Sequence, residues 1–201
     1  MRGFAQKAGL LTRRFRRDEA GTVSIEAILV IPLLFWAYMA IFVMFDAYKK
    51  QTDGLRATYA VADAISREDA EINQTYLNSM ADLLDFLTRS PSQITMRTTI
   101  VCFSEDLDAY TVAWSKLTGP NAANLTLFSD ANINNIKDKL PVIPEGDQVI
   151  VLEMFMDYSP MWDIGLDPKE FQYFSFTRPR FTNQVKWENQ PTWICPEVTG
   201  T

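Results

Sequence analysis

Histidine is missing from all 201 residues. That absence removes the commonest general base, the commonest metal ligand and every His-dependent nucleophilic triad, and most hydrolase mechanisms go with them. Cysteine occurs only as Cys102 and Cys195, in no C-x-x-C spacing, so neither a zinc site nor a thioredoxin-like motif is supported. The pair reads either as a structural disulfide or as two separate buried thiols. Gly-rich phosphate loops, serine nucleophile motifs and the D-x-D-x-D-G calcium pattern are also missing. No catalytic residue, metal or cofactor is therefore expected. A basic stripe is lacking too. The formal charge is −6, and it is divided unevenly between the ends. Through Gly21 the basic residues Arg2, Lys7, Arg13, Arg14, Arg16 and Arg17 face only Asp18 and Glu19, a local charge of +4, which leaves −10 for the remainder. A body that acidic is repelled by phosphate backbones, so nucleic acid is not an expected partner.

Long apolar sequence, by contrast, is abundant in one place. From Thr22 to Phe45 the chain reads TVSIEAILVIPLLFWAYMAIFVMF, 24 residues whose single ionisable side chain is Glu26. At roughly 1.5 Å per residue this crosses a hydrocarbon core with room for tilt, and it lacks the polar stripe of a helix buried in a globular core. Pro32 interrupts the run, but in lipid a proline usually bends a helix without ending it. The cluster Arg13, Arg14, Arg16 and Arg17 precedes the span, whereas Asp46, Lys49 and Lys50 follow it. The positive-inside rule then puts the N-terminus in the cytoplasm. Residues 46–201 would lie outside it, where disulfides persist and Cys102 can pair with Cys195. The run is too long for an ordinary secretory segment, and no small-x-small cleavage site follows it, so it is expected to stay attached as an anchor.

A carboxylate within a membrane helix costs roughly 2.5–3.5 kcal/mol at the centre and less near an end, so Glu26 calls for a partner. Its position is informative: a basic leader ends at Gly21, the apolar run begins at Thr22, and Glu26 is the fifth residue of that run. This arrangement resembles the type IV prepilin signature, and most closely the TadE/TadF pseudopilin family (TadE/TadG family) of Tad (Flp) type IVb pilus systems. The leader RRFRRDEAG and the run TVSIEAILVIPLLF carry the resemblance, which is strongest over residues 13–50. It continues weakly through VIVLEMFMDYSP (149–160) and FSFTRPRF (174–181). Ala27 departs from the pattern, since an aromatic residue commonly follows the glutamate. The resemblance implies removal of residues 1–21 by a prepilin peptidase that cuts between Gly21 and Thr22. It further implies a free amine on Thr22 that pairs with Glu26 of a neighbouring subunit, so that Glu26 sets subunit register. Other pilins and pilus-assembly proteins are the partners it implies, and the bacterial inner membrane is the location, with residues 46–201 periplasmic. Solvation of Glu26 as a plain flanking charge is the alternative that the residues themselves leave open.

Beyond the span, Leu55, Tyr59, Ala62, Ile65, Ile72, Tyr76, Met80, Leu83 and Leu87 recur mostly at steps of three or four. They predict one or two amphipathic helices, with Gly54 and SREDAE as weak points and a stop at Ser90 and Pro91. After Pro91 the period becomes two. Ile94, Met96, Thr98, Ile100 and Cys102 alternate with polar residues, as do Tyr110, Val112 and Trp114, with SEDLDA as the hairpin loop between them. Ile133, Ile136 and Leu140 suggest a short helix, and Val149–Met156 and Glu170–Phe176 two more strands. The expected architecture is α+β: a transmembrane helix (22–45) extending into an amphipathic helix, then a small, mainly antiparallel sheet domain closed by a disulfide.

Two further groups of residues have side chains suited to chemistry. Asp157, Asp163 and Asp167 near Trp162 could line a cation or sugar site, although ordinary solvated loop charges are favoured. Arg178 and Arg180 could clamp a carboxylate on a neighbouring subunit, or pair within the domain. Two rivals to the pilin reading also stand: an unprocessed bitopic protein with a periplasmic ligand-binding or sensing head, and a tethered enzyme using the paired carboxylates Glu153 and Asp157.

Overall fold

The computed structural model describes residues 20–89, 94–190 and 195. They fall into two compact units. One contains the chain up to Asp46 together with Met161–Leu166, and the other contains Ala47–Pro160 and the chain from Asp167 onward.

Helix α1 (Ala20–Ser66) is 47 residues long and continues through Pro32. In the second unit its buried positions are Ala47, Gly54, Ala57, Thr58, Val61, Ala62, Ile65 and Ser66. This corrects the stripe read from the sequence, because Leu55 and Tyr59 are exposed. The buried face is built mainly of small residues, which lets the helix backbone lie close to the sheet. Gly54 is accordingly no break. A Cβ there would lie 2.4 Å from Cζ of Tyr173 and 2.6 Å from its hydroxyl, so the ring occupies the space a side chain would need. The Tyr173 hydroxyl donates to the Lys50 carbonyl at 3.3 Å. Burial, with Asp53 adding to it, pushes this phenol up to about 12.

The chain leaves the helical path within SREDAE, one of the two expected weak points. Helix α2 (Gln74–Thr88) then starts at the N-cap Asn73, whose side chain accepts from the Tyr76 amide at 2.9 Å. Its buried face is Leu77, Ala81, Leu84 and Thr88, one position round from the predicted Tyr76, Met80, Leu83 and Leu87. The helix ends at Arg89, in the left-handed region at φ 49°, where the Lys50 ammonium donates to the Thr88 and Arg89 carbonyls at 3.3 and 3.0 Å. The predicted stop at Ser90 and Pro91 lies outside the described residues.

Strands β1 (Thr95–Ser104), β2 (Ala109–Thr118), β3 (Gln148–Tyr158) and β4 (Lys169–Thr177) form one sheet in the order β2-β1-β3-β4, every neighbouring pair antiparallel. All ten residues of β1 are buried, where simple alternation predicts one polar face. The reason is that both faces are covered. On one side Met154 meets Thr58 of α1, Sδ to Oγ1 3.7 Å. On the other, Val101, Phe103, Val149 and Val151 pack with Ile133, Leu140 and Ile143. Ile133 ends the short helix α3 (Asp130–Ile133), which passes directly into a 3-10 helix, Asn134–Lys139.

Strand β2 carries one extra residue opposite Ile100 and Val101, which pair with Trp114 and Val112. This bulge turns Val112 and Trp114 to opposite faces, although they are two apart and read as one alternating set. Val112 joins the α3 side, whereas Trp114 donates its indole N–H to the Val185 carbonyl at 2.9 Å. Val185 and its neighbours form the return segment. It is held by Ile72 N–H to the Lys186 carbonyl and Glu188 N–H to the Ile72 carbonyl, both 2.8 Å.

Candidate functional site

The residues singled out by the prepilin resemblance lie at the start of α1. Gly21 and Thr22 fall within its helical backbone, and Glu26 follows one turn later, exposed and with no ion pair among the described residues. The arginine-rich leader lies outside the described residues. Most large apolar side chains from Val23 to Phe45 are between 41% and 69% exposed, although Val43 is buried at 3% and Met39 is half-buried. A helix with apolar residues all round matches hydrocarbon, and this one is long and apolar enough to cross a membrane. Glu26 is the one charged side chain on that surface at neutral pH.

Cys102 and Cys195 form a disulfide, with Cα atoms 5.7 Å apart and both residues buried. Cys102 ends the β1–β3 pairing opposite Gln148, and Cys195 lies against the Asp147 carbonyl. Gln148 in turn accepts from the Val185 amide at 2.8 Å, so bridge, strand end and return segment meet at one place.

The other candidates resolve into structure. Arg178 pairs with Asp147, and Arg180 with Asp63 at 3.0 Å, while the Arg180 amide donates to the Ser66 carbonyl at 2.8 Å. Both arginines thus find carboxylates within their own chain. Asp157 stands on β3 opposite Glu170, and Asp163 and Asp167 are exposed. Among the described residues no three His, Cys, Asp or Glu side chains come together as a metal-ligand set.

Glu153 is buried and stands opposite Arg97 in the β1–β3 register. One carboxylate oxygen accepts from Arg97 Nε at 2.6 Å and Nη2 at 2.5 Å, and the other accepts from Gln172 at 3.2 Å. Arg97 also donates to the Thr126 carbonyl at 2.6 Å, and its guanidinium lies 3.9 Å from the centre of the Phe128 ring. Every polar end of this pair is answered, the arrangement that makes a buried ion pair tolerable. Such a carboxylate is poorly placed to exchange protons with a substrate. The sequence shows Glu153 inside an apolar run but gives no hint of its partner, which only strand register supplies.

Two open clefts accompany these features. One, of about 350 Å³, lies between Asp69–Glu71 and Thr182–Lys186, and the other, of about 300 Å³, lies along Gln51, Thr52, Leu55 and Phe171–Phe174. Neither gathers buried polar groups of the kind that fix a small ligand. One pairing went unread in the sequence: Trp162 packs against Phe42 of α1, ring centroids 5.5 Å apart. The stretch from Met161 to Leu166 has no periodicity to point it at a helix, and only its indole hinted at a role. No family model matches the chain, and no curated protein or solved structure is significantly similar to it.

Proposed function

We propose that the chain is a minor pilin or pseudopilin acting structurally in assembly of a Tad-type pilus and secretion machine. It is anchored in the bacterial inner membrane with its N-terminus cytoplasmic and residues 46–201 periplasmic. The observation that carries this reading is α1 itself. A single uninterrupted helix bears a largely exposed apolar surface whose one charge is Glu26, and farther along it presents the mainly small-residue face against which a four-stranded sheet packs. The disulfide fits a head facing an oxidising compartment.

On this reading a prepilin peptidase cuts after Gly21, and the new amine of Thr22 meets Glu26 of a neighbouring pilin. Charge pairing offsets the cost of holding a carboxylate in lipid, and because one partner is the chain terminus it also fixes the axial offset between helices. Pilus-assembly proteins and other pilins would take up the rest of the apolar surface. The mass of the N-terminal peptide of protein purified from its native membrane is expected to begin at Thr22, and Glu26→Gln to abolish assembly while the protein still accumulates. An intact leader, with assembly unaffected by Glu26→Gln, would instead favour an unprocessed bitopic protein with a periplasmic ligand-binding or sensing head.

A further inference from the structure

The middle of the β3–β4 connection, Met161–Leu166, belongs to the same compact unit as α1 up to Asp46. It is a tight loop: the Ile164 amide donates to the Trp162 carbonyl at 3.1 Å, and Gly165 turns the chain at φ 82°. Trp162 lies against Phe42, yet it keeps 37% of its surface exposed, and Met161 beside it keeps 74%.

Phe42 stands four residues before Asp46, the first charge after Glu26. Along a helix that is roughly 6 Å, which places the aromatic contact just inside the end of the apolar run. Tryptophan is enriched at this level of membrane proteins, because its ring is apolar while its N–H is satisfied in the headgroup layer. The loop carries only one charge, that of the exposed Asp163. This favours shallow seating, since a carboxylate must stay hydrated.

We propose that Met161–Leu166 seats in the headgroup layer of the bilayer that α1 crosses, with Met161 and Trp162 as its lipid-facing anchors. The proposal rests on the reading of α1 as a membrane span. The bilayer is the occupant because any lipid that covers α1 as far as Phe45 also reaches the partner of Phe42. The loop thus sets how deep the helix sits and which way it turns, a second contact that a single span lacks.

The full-length protein in phosphatidylethanolamine vesicles, doped with phosphatidylcholine brominated either near the headgroup or near the chain end, tests this. Difference spectra against Trp162→Phe and Trp36→Phe isolate the two emitters. The Trp162 component should be blue-shifted and lose more intensity to shallow than to deep bromine, and Trp36, ten residues before Asp46, should show the reverse. If Trp36 is quenched by deep bromine while Trp162 is untouched by either lipid, the span stands and the loop proposal fails. A blue-shifted but unquenched Trp162 would mean that it sits on protein, and a red-shifted one open to iodide that it lies in water. Loss of quenching at Trp36 as well would sink the span and the proposal together.

Discussion

Glycine in a helix interior costs about 1 kcal/mol relative to alanine, so Gly54 inside α1 looks like a defect until Tyr173 is placed against it. Added methyl groups in a packed site typically cost about 1–3 kcal/mol, which outweighs the gain in helix propensity. Gly54→Ala should therefore destabilise the protein by about 1 kcal/mol, read as a lower midpoint of thermal unfolding in detergent micelles. In a Tyr173→Leu background, which removes the facing ring, the same change should become neutral or stabilising. Equal effects in both backgrounds would show that the ring is not what the glycine serves. Sequence could not show this, because the reason for Gly54 lies on the last strand of the sheet. Glu26 stood out for the opposite reason: the register role proposed for it rests on its offset within one continuous segment.

At the level of elements, β2 and β4 are the two edges of the sheet, and an edge exposes a row of backbone groups that can pair with another chain. The β2 edge is blunted by the helical turn that follows it. Asn134 accepts from the Tyr110 amide at 2.8 Å and returns a bond to the same residue's carbonyl at 3.0 Å, while Asp130 accepts from the Val112 amide at 2.6 Å. Replacing both residues by alanine removes these bonds at about 1 kcal/mol each. It should also release strand-mediated self-association, detectable as concentration-dependent sedimentation in detergent. A monomeric double variant with unchanged unfolding would deny the edge its cap. The strands themselves were readable from period-two patterning, because cross-strand packing leaves that mark. The bulge was not, since Tyr110, Val112 and Trp114 keep an unbroken alternation while the backbone between the last two turns one to each face. The buried face of α1 was legible only in part: Ala62 and Ile65 belong to the stripe, but Gly54, Ala57 and Thr58 are too small or too polar to mark it.

Over the whole molecule the division was written into composition: an apolar run, a charge change from +4 to −10, and a period that shifts from helix to strand. Pairing of Cys102 with Cys195 was expected from the proposed export of residues 46–201, since disulfides persist outside the cytoplasm. The bond spans 93 residues of sequence, and loop-closure arguments put its contribution at roughly 4–5 kcal/mol. Against a typical net stability of about 5–15 kcal/mol that is a large share, and losing it frees Cys195 from β1. Protein taken from membranes should therefore run faster on a denaturing gel without thiol than with it, and unchanged mobility would argue against the bridge. The same shift reports orientation. Replacing Arg13, Arg14, Arg16 and Arg17 with glutamate removes the charge bias on which the proposed orientation rests, and molecules inserted the other way would hold both cysteines in the reducing cytoplasm. Their mobility should no longer respond to thiol, and a persistent shift in that variant would separate the bridge from the topology assigned to it.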